Sequence, residues 1–413
     1  MSAATPIAGN TLRSDATVIS LVGFAHGTSH FFHFVLPPLF PWLMRDFGLT
    51  FTQVGAGMTV FFVVSGIGQA LAGFVVDRVG GLRVLYGGVA LLSLGGLCYA
   101  LAQNYAMLLG AAAIAGLGNS VFHPADYTLL NRRVSPSRLG HAFSVHGLSG
   151  SLGWAAAPVF VLAIAETMGW RAACVGASMV GVAALLFLFV NRRTLQDAAS
   201  LLAEGARRRG SSFAFLGAPV VWICFVFFFL AVMAFGGLQN FAPAILRDTY
   251  GVTLAFATTA LTAYLLGSAA GVAVGGFFAS HGERQDRLVA YALSAAAVCS
   301  ILLATTAVAA WSVVALMAAM GFGVGFSGPS RDILVRRAAT STFGTGAFGR
   351  VYGFVYSGID AGLALAPLVF GPFMDAGQPT RVLWGVATLQ VLAIVAALSV
   401  GFRSRSAVSP STP

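Results

Sequence analysis

Three histidines lie within a strongly apolar stretch of the chain, HGTSHFFHF, at positions His26, His30 and His33. Their i, i+4 and i+7 spacing places them on one face of a helix, within about 60° of arc. Imidazole changes its charge near neutral pH, so this face could take up and release protons. His30, near the middle of the apolar segment, is the leading candidate; the alternative for His26 and His33 is hydrogen bonding between helices.

A second polar group lies in the sequence FHPADY, where His123 and Asp126 are three residues apart. Side chains at this spacing share a helix face and could share a proton or a cation. Pro124 lies between them and loosens the backbone. His146, in the next apolar segment, lies at a similar depth, so a cluster of the three is predicted. The alternative is a polar pair that stabilises the two arginines that follow.

The second half of the chain carries an acidic residue near the middle of an apolar segment, Asp360. A carboxyl group in a low-dielectric setting favours its protonated form, so Asp360 is a candidate for proton coupling or substrate binding. Tyr352 and Tyr356 precede it by eight and four residues and lie close to the same helix face. Arg331 could hold an anionic substrate or pair with Asp332. The remaining polar candidates in this half are Gln239 and Asn240.

The elements that must position these residues are membrane-spanning helices. Of 413 residues, 58% are hydrophobic and 9% charged, and the mean hydropathy is +0.85. A soluble domain carries about 25% charged residues, and a helix needs roughly 20 apolar residues to cross a bilayer. The apolar runs are continuous, which favours helices over alternating β-strands. The predicted spans are residues 17–43, 52–76, 83–103, 105–131, 140–165, 170–191, 218–246, 252–279, 288–308, 311–336, 350–374 and 381–402.

The net charge is +10, and every basic residue is an arginine. With a cytoplasmic N-terminus, most arginines fall on the cytoplasmic side, a bias typical of membrane proteins. The sequence therefore predicts a multi-pass protein of the inner (plasma) membrane with both termini in the cytoplasm. The positive charge then contacts anionic membrane lipids, and no nucleic-acid partner is predicted. The four cysteines are scattered singly, without a disulfide framework.

The two halves of the chain resemble each other. GHAFSVHGLSGSLGWAAAP, from Gly140, aligns without a gap with GRVYGFVYSGIDAGLALAP, from Gly349, so that Gly153 matches Gly362. Two six-helix halves in parallel repeat are a transporter architecture with a site between the halves. The predicted units are an N-terminal bundle at 1–191, a cytoplasmic linker at 192–217, a C-terminal bundle at 218–402 and a cytoplasmic tail at 403–413.

Between the second and third spans lies the sequence GFVVDRVGGLR. It resembles the cytoplasmic loop signature of the major facilitator superfamily, Gly-x3-Asp-Arg-x-Gly-Arg-Arg. The matching residues are Gly73, Asp77, Arg78, Gly80 and Arg83. The resemblance implies the major facilitator fold, an all-α integral membrane protein with twelve transmembrane helices in two pseudo-symmetric six-helix bundles. It also implies that this loop latches the halves together on the cytoplasmic side when the carrier faces outward.

Within the superfamily, FFHFVLPPLFPWL, FFVVSGIGQALAGFVVDR and GLGNSVFHPADYTLL are most similar to the fosmidomycin-resistance branch of drug exporters. Drug/proton antiporters of the superfamily usually keep an arginine in the core of the fourth span, and this chain has none there. Their fifth span normally includes Gly-Pro, where this chain has Gly150-Ser151. Export and uptake therefore both stay open.

The resemblance implies a secondary transporter that works by alternating access, as a monomer and without enzymatic activity. The leading hypothesis is export of a small amphiphilic or anionic organic compound in exchange for protons. One alternative is proton-coupled uptake of an organic acid or a metal chelate, because imidazole suits several transition metals. A remote alternative is a membrane-embedded metalloenzyme. The predicted partners are the substrate, protons and lipids, with no cofactor and no bound metal.

Overall fold

The computed structural model describes residues 12–135, 138–195, 214–281, 284–343 and 348–406, and these residues are almost entirely helical. Eleven segments are long and apolar enough to cross a membrane. The first apolar segment, which carries the three histidines, is divided between two helices and completes a set of twelve spans. The all-helical, twelve-span architecture expected from the sequence is confirmed.

The first six spans are built from eight helices, and a single-turn helix follows them. Their bounds are α1 Leu12–Phe32, α2 Phe40–Phe47, α3 Phe51–Val79, α4 Gly81–Leu101, α5 Tyr105–Asn119, α6 Phe122–Arg133, α7 Leu139–Met168, α8 Trp170–Val190 and the single turn α9 Arg192–Leu195. The last six spans are single helices. Their bounds are α10 Pro219–Tyr250, α11 Leu254–His281, α12 Gln285–Ala304, α13 Val313–Phe343, α14 Phe348–Asp375 and α15 Pro379–Ser406.

Two of the predicted spans are broken at prolines. The first span consists of α1, a 3₁₀ turn at Pro37–Leu39 and α2, because consecutive prolines cannot donate backbone hydrogen bonds to the preceding turn. The fourth span is divided between α5 and α6 at residues 120–121. There the Pro124 ring takes the place of a helical hydrogen bond to the carbonyl of Ser120. This second break sets the direction of α6, which carries His123.

The repeat between the fifth and eleventh spans has a counterpart in the packing of the helices. A Cβ atom on Gly153 of α7 would lie 2.1 Å from the Gly27 carbonyl oxygen of α1. A Cβ atom on Gly362 of α14 would lie 2.7 Å from the Phe229 carbonyl oxygen of α10. In each half, therefore, a matched glycine allows the fifth span to approach the first span closely.

The two halves contact each other along α3 with α14 and along α7 with α11. At one end, the Asp375 carboxylate accepts hydrogen bonds from the backbone N–H groups of Phe51, at 2.5 Å, and Thr52, at 3.0 Å. These donors belong to the first turn of α3, which has no helical acceptors for them. We call this end of the molecule the Asp375 end. Nearer the middle, the Thr59 hydroxyl donates to the Ala364 carbonyl at 2.7 Å and also joins the two halves.

Candidate functional site

Five polar side chains from three helices meet within the first half of the chain. We call them the histidine cluster: His26 and His30 of α1, His123 and Asp126 of α6, and His146 of α7. The ring centroids of His30, His123 and His146 lie 4.3, 5.3 and 3.5 Å from the centroid of His26. His30 and His123 are partly exposed, and the other three are buried. The structure thus brings together five of the residues that the sequence analysis identified as candidates for proton coupling or substrate binding.

Asp126 lies at the centre of the histidine cluster. Its Oδ2 atom lies 3.1 Å from His26 Nδ1 and 3.1 Å from His146 Nε2, and the contact with His146 is a hydrogen bond. The rings of His26 and His146 stack, with an angle of 23° between their planes. One carboxylate oxygen therefore lies 3.1 Å from two imidazoles and is hydrogen-bonded to one of them. The sequence analysis grouped Asp126 with His123 and His146. The structure places His146 against Asp126, adds His26, and gives His123 a different partner, Gln69.

Three polar atoms of the cluster have no hydrogen-bond partner among the described residues. They are His26 Nδ1, His30 Nδ1 and Asp126 Oδ1, and all three atoms are buried. A buried polar atom without a partner costs about 1–3 kcal/mol. Unpaired atoms concentrated in one place indicate that the cluster is built to hold something more, such as a proton, water or a cation.

Gly150 of α7 makes room for two of the histidines. A Cβ atom at this position would lie 2.6 Å from His30 Nδ1 and 3.1 Å from His26 Nε2. Both distances are shorter than ordinary van der Waals contact, so any larger residue would displace an imidazole. The sequence analysis singled out Gly150-Ser151 because the usual proline is missing. In the structure, it is Gly150 that leaves room for the two imidazoles.

His33 belongs to a separate hydrogen-bond network. Its Nδ1 accepts a hydrogen bond from the Trp154 indole at 3.1 Å, and its Nε2 lies 3.0 Å from Asn119 Oδ1. An indole N–H can only donate, so His33 Nδ1 carries no proton and Nε2–H donates to Asn119. Asn119 also accepts from the Ser29 hydroxyl at 2.7 Å and donates to Ser65 at 2.9 Å. Both nitrogens of His33 are therefore committed to neighbouring helices.

Gln69 of α3 connects the histidine cluster to the other half of the chain. Its Nε2 donates to Asp360 Oδ2 at 3.3 Å, and its Oε1 lies 2.9 Å from His123 Nδ1. Because the amide oxygen can only accept, His123 Nδ1 carries the proton in this arrangement. We call Asp360, Gln69 and His123 the interface link. Sequence reasoning missed Gln69, although a polar residue within an apolar helix is a signal that could have found it.

Two other candidates of the second half lie near the Asp375 end. The Gln239 side chain is fully buried and donates to the backbone carbonyl of His33 at 2.8 Å, so it joins the halves. The Asn240 amide donates to the Gly236 carbonyl of its own helix at 2.7 Å. Asn240 also lines a cavity of about 210 Å³ together with prolines of the first span. Neither side chain belongs to the histidine cluster.

Arg331 and Asp332 form an ion pair, with 3.1 Å between Nε and Oδ1. The Arg331 guanidinium also lies 4.5 Å from the ring centroid of Phe228, and the Tyr356 ring lies 4.9 Å from that centroid. Pairing, one of the two roles considered for Arg331, is present, and substrate binding stays a prediction. The backbone of Tyr352 belongs to α14, but its side chain lies outside the described residues.

The loop signature lies where α3 ends and α4 begins. Gly80 separates the two helices with a φ of 92°, a conformation that favours glycine. Arg78 and Arg83 are exposed. The surroundings of Gly73 and the side chain of Asp77 lie outside what the structure describes, so the latch proposed for this loop stays a prediction.

Comparison with known proteins shows which family the chain resembles. The family model described as "Major Facilitator Superfamily" matches residues 22–367. An uncharacterized MFS-type transporter, YfnC of Bacillus subtilis (strain 168), is 25% identical over 96% of this chain and 97% of its own length. The fosmidomycin resistance protein of Escherichia coli (strain K12) is 25% identical over 66% of this chain and 68% of its own length.

A solved structure supports the same fold. The inward-facing, occupied structure of a bacterial homolog of the human lysosomal transporter Spinster superposes with a TM-score of 0.73 at 14% identity. The match covers 97% of this chain and all of the other chain. The chain therefore belongs to the major facilitator superfamily, and it is a membrane transporter rather than an enzyme.

Proposed function

We propose that this carrier exports a small amphiphilic or anionic organic compound in exchange for protons, by alternating access to a site between its two bundles. One observation carries the proposal, namely the interface link that joins Asp360 of the second bundle through Gln69 to His123 of the first. Among the described residues, no cation forms an ion pair with Asp360. Its charge is therefore balanced by a proton or by the substrate, not by a fixed arginine.

The interface link changes when Asp360 takes up a proton. An ionised carboxylate can only accept, as it does here from Gln69 Nε2, whereas a protonated one can also donate, and Gln69 Oε1 has a second lone pair that could accept. That oxygen already accepts from His123 Nδ1. Protonation of Asp360 therefore rearranges hydrogen bonds that cross the bundle interface. Only an interaction that differs between two conformations can shift their balance, and the interface link provides one.

The arginine distribution supports placing both termini and the 192–217 linker in the cytoplasm, with the protein in the inner membrane. The proposed carrier acts as a monomer. The Asp375 end then faces outward. Because Asp375 joins the bundles there, the bundles are held together at the outward end in the conformation described. The fosmidomycin resistance protein among its relatives supports export over uptake.

Everted membrane vesicles test the proposal. Their interior is made acid, and fosmidomycin, amphiphilic drugs, organic anions and divalent metals are added in turn while a pH-sensitive dye reports proton release. We expect at least one organic solute to release protons and expect Asp360→Asn to abolish the response. Asp248→Asn is the matched control, because Asp248 is an exposed carboxylate that pairs with Arg247 within α10. It should respond like the natural protein.

Each other outcome has a definite meaning. Solute-dependent release that persists in Asp360→Asn would contradict the coupling role of Asp360 but would keep the exporter. His30→Ala, run beside it, tests the prediction that His30 carries a coupling proton. No release with any solute, together with uptake of the same solutes by whole cells, would replace export with the uptake alternative.

A further inference from the structure

Three donor atoms of the histidine cluster have the arrangement of metal ligands. His26, Asp126 and His146 each offer one atom, and these atoms lie within 4.8 Å of one another. The two measured contacts to Asp126 Oδ2 are both 3.1 Å. A tetrahedral zinc site with bonds of about 2.0–2.1 Å has ligand atoms about 3.3 Å apart. The donor atoms of His26 and His146 are within 4.8 Å of each other, and their rings stack at 23°, so these two rings would have to reorient for all three side chains to hold one ion.

The chemistry of the donors selects the class of ion. Two imidazoles and one carboxylate suit zinc and the neighbouring divalent transition metals, whereas magnesium and calcium prefer oxygen ligands and Cu(I) prefers sulfur. The three side chains are at most 5% exposed. A cation bound by these three buried side chains would therefore have little contact with water.

The unpaired atoms give an independent reason to expect a ligand. His26 Nδ1 is close to Asp126 Oδ2 but forms no hydrogen bond with it, and Asp126 Oδ1 has no partner among the described residues. His30 Nδ1, also without a described partner, lies on the neighbouring ring. A metal ion would accept these lone pairs. For His146 Nε2 to bind the ion, the proton that this atom donates to Asp126 would have to move to Nδ1 of the same ring, so that the imidazole stays neutral.

We propose that His26, Asp126 and His146 bind one divalent transition-metal ion of the zinc class, with the fourth position open towards His30. This differs from the sequence analysis, which predicted no bound metal. The proposal does not depend on proton coupling or on the direction of transport, because the site lies within the first bundle. Three protein ligands and one open position are the arrangement of sites whose metal also contacts a fourth, exchangeable ligand.

The test is a titration of the purified, metal-stripped full chain in detergent with Co²⁺, followed by visible absorption. We expect one equivalent to bind with the intense bands of tetrahedral Co²⁺ and to be displaced by Zn²⁺. Asp126→Asn and His146→Gln should each weaken binding by about tenfold or more, since even residues that only support metal ligands contribute 10–100-fold. His141→Ala is the matched control, because His141 is an exposed histidine of α7, the helix that carries His146. This variant should bind Co²⁺ normally.

X-ray absorption of the Zn²⁺-loaded natural protein provides a readout that needs no variant. It should show nitrogen and oxygen neighbours at about 2.0–2.1 Å with the outer-shell scattering of two or three imidazoles. Binding that is absent, that lacks imidazole scattering, or that is unchanged in Asp126→Asn and His146→Gln would overturn the proposal. Equal loss in His141→Ala would assign the metal to a surface site and would overturn it as well.

Discussion

His33 differs from the other two histidines of α1 because both of its ring nitrogens have partners. Trp154 donates to one nitrogen, and Asn119 accepts from the other. His26 and His30 each keep an Nδ1 atom without a described partner. The three histidines therefore differ in role. His33 is structural, whereas His26 and His30 each have a nitrogen that can still bind a ligand.

Substitutions at His33 should affect stability more than transport. His33→Gln can still accept from Trp154 and donate to Asn119, so it should keep solute-dependent proton release. His33→Leu leaves buried polar partners unsatisfied and should lower the free energy of unfolding by about 1–3 kcal/mol. Thermal unfolding in detergent and the vesicle assay measure the two effects. A His33→Gln protein that folds normally but has lost coupling would contradict the structural role.

Spacing alone could group these histidines but could not rank them. The i, i+4, i+7 pattern is a local property, and it correctly placed the three rings side by side. The partners that distinguish His33 are 86 and 121 residues away in the sequence. Which distant side chain reaches which ring depends on how α5 and α7 pack on α1, and no local pattern contains that information.

At the scale of helices, the packing of α7 on α1 controls the geometry of the cluster. Gly150 faces His26 and His30, whereas a Cβ atom on Gly147, one turn earlier, would meet no heavy atom within 4 Å. The two glycines therefore offer a matched pair of substitutions on one helix. Replacement by alanine raises helix propensity at both positions, by about 1 kcal/mol in soluble helices. A difference in behaviour between the two variants therefore reports the contact with the histidines.

Gly150→Ala should displace the His30 ring and cost about 1–3 kcal/mol of overpacking. We expect slower solute-dependent proton release in vesicles that contain normal amounts of the protein, and weaker Co²⁺ binding by the purified chain. Gly147→Ala should match the natural protein in both assays. Equal behaviour of the two variants would show that the contact seen at Gly150 does not control the cluster.

The helix pattern itself was largely predictable, and the breaks in it were less so. Continuous apolar runs gave the spans, because lipid requires every backbone group to be paired within the helix. The breaks at Pro37–Leu39 and before Pro124 divide two spans that the sequence analysis treated as single. Proline marks a possible break, but membrane helices also tolerate proline, as Pro158 inside α7 demonstrates.

At the scale of the whole molecule, the contacts between bundles decide which side is open. The sequence predicted two halves from their repeat, and the matched glycines Gly153 and Gly362 pack equivalently. It did not predict the pairing of Asp375 with α3 or the bridge made by Gln69. Those residues meet across more than 290 positions of sequence.

Removing the Asp375 carboxylate should favour opening at the Asp375 end. Asp375→Ala deprives the first turn of α3 of its acceptors from the other bundle. We expect a cysteine introduced as Thr59→Cys, half-buried between the bundles, to react faster with a membrane-impermeant thiol reagent. Asp248→Ala removes an exposed carboxylate near the end of α10 and is the control. Unchanged reactivity in Asp375→Ala would mean that this carboxylate does not hold the bundles together.

The most direct test of proton coupling compares two modes of transport by the purified protein in liposomes. With an acid interior, one pH unit can drive about a tenfold accumulation of solute for each proton exchanged. Counterflow of labelled against unlabelled solute needs no gradient. For the solute identified in vesicles, we predict that Asp360→Asn keeps counterflow near the natural rate and loses gradient-driven accumulation. Accumulation by Asp360→Asn equal to that of the natural protein would contradict the account.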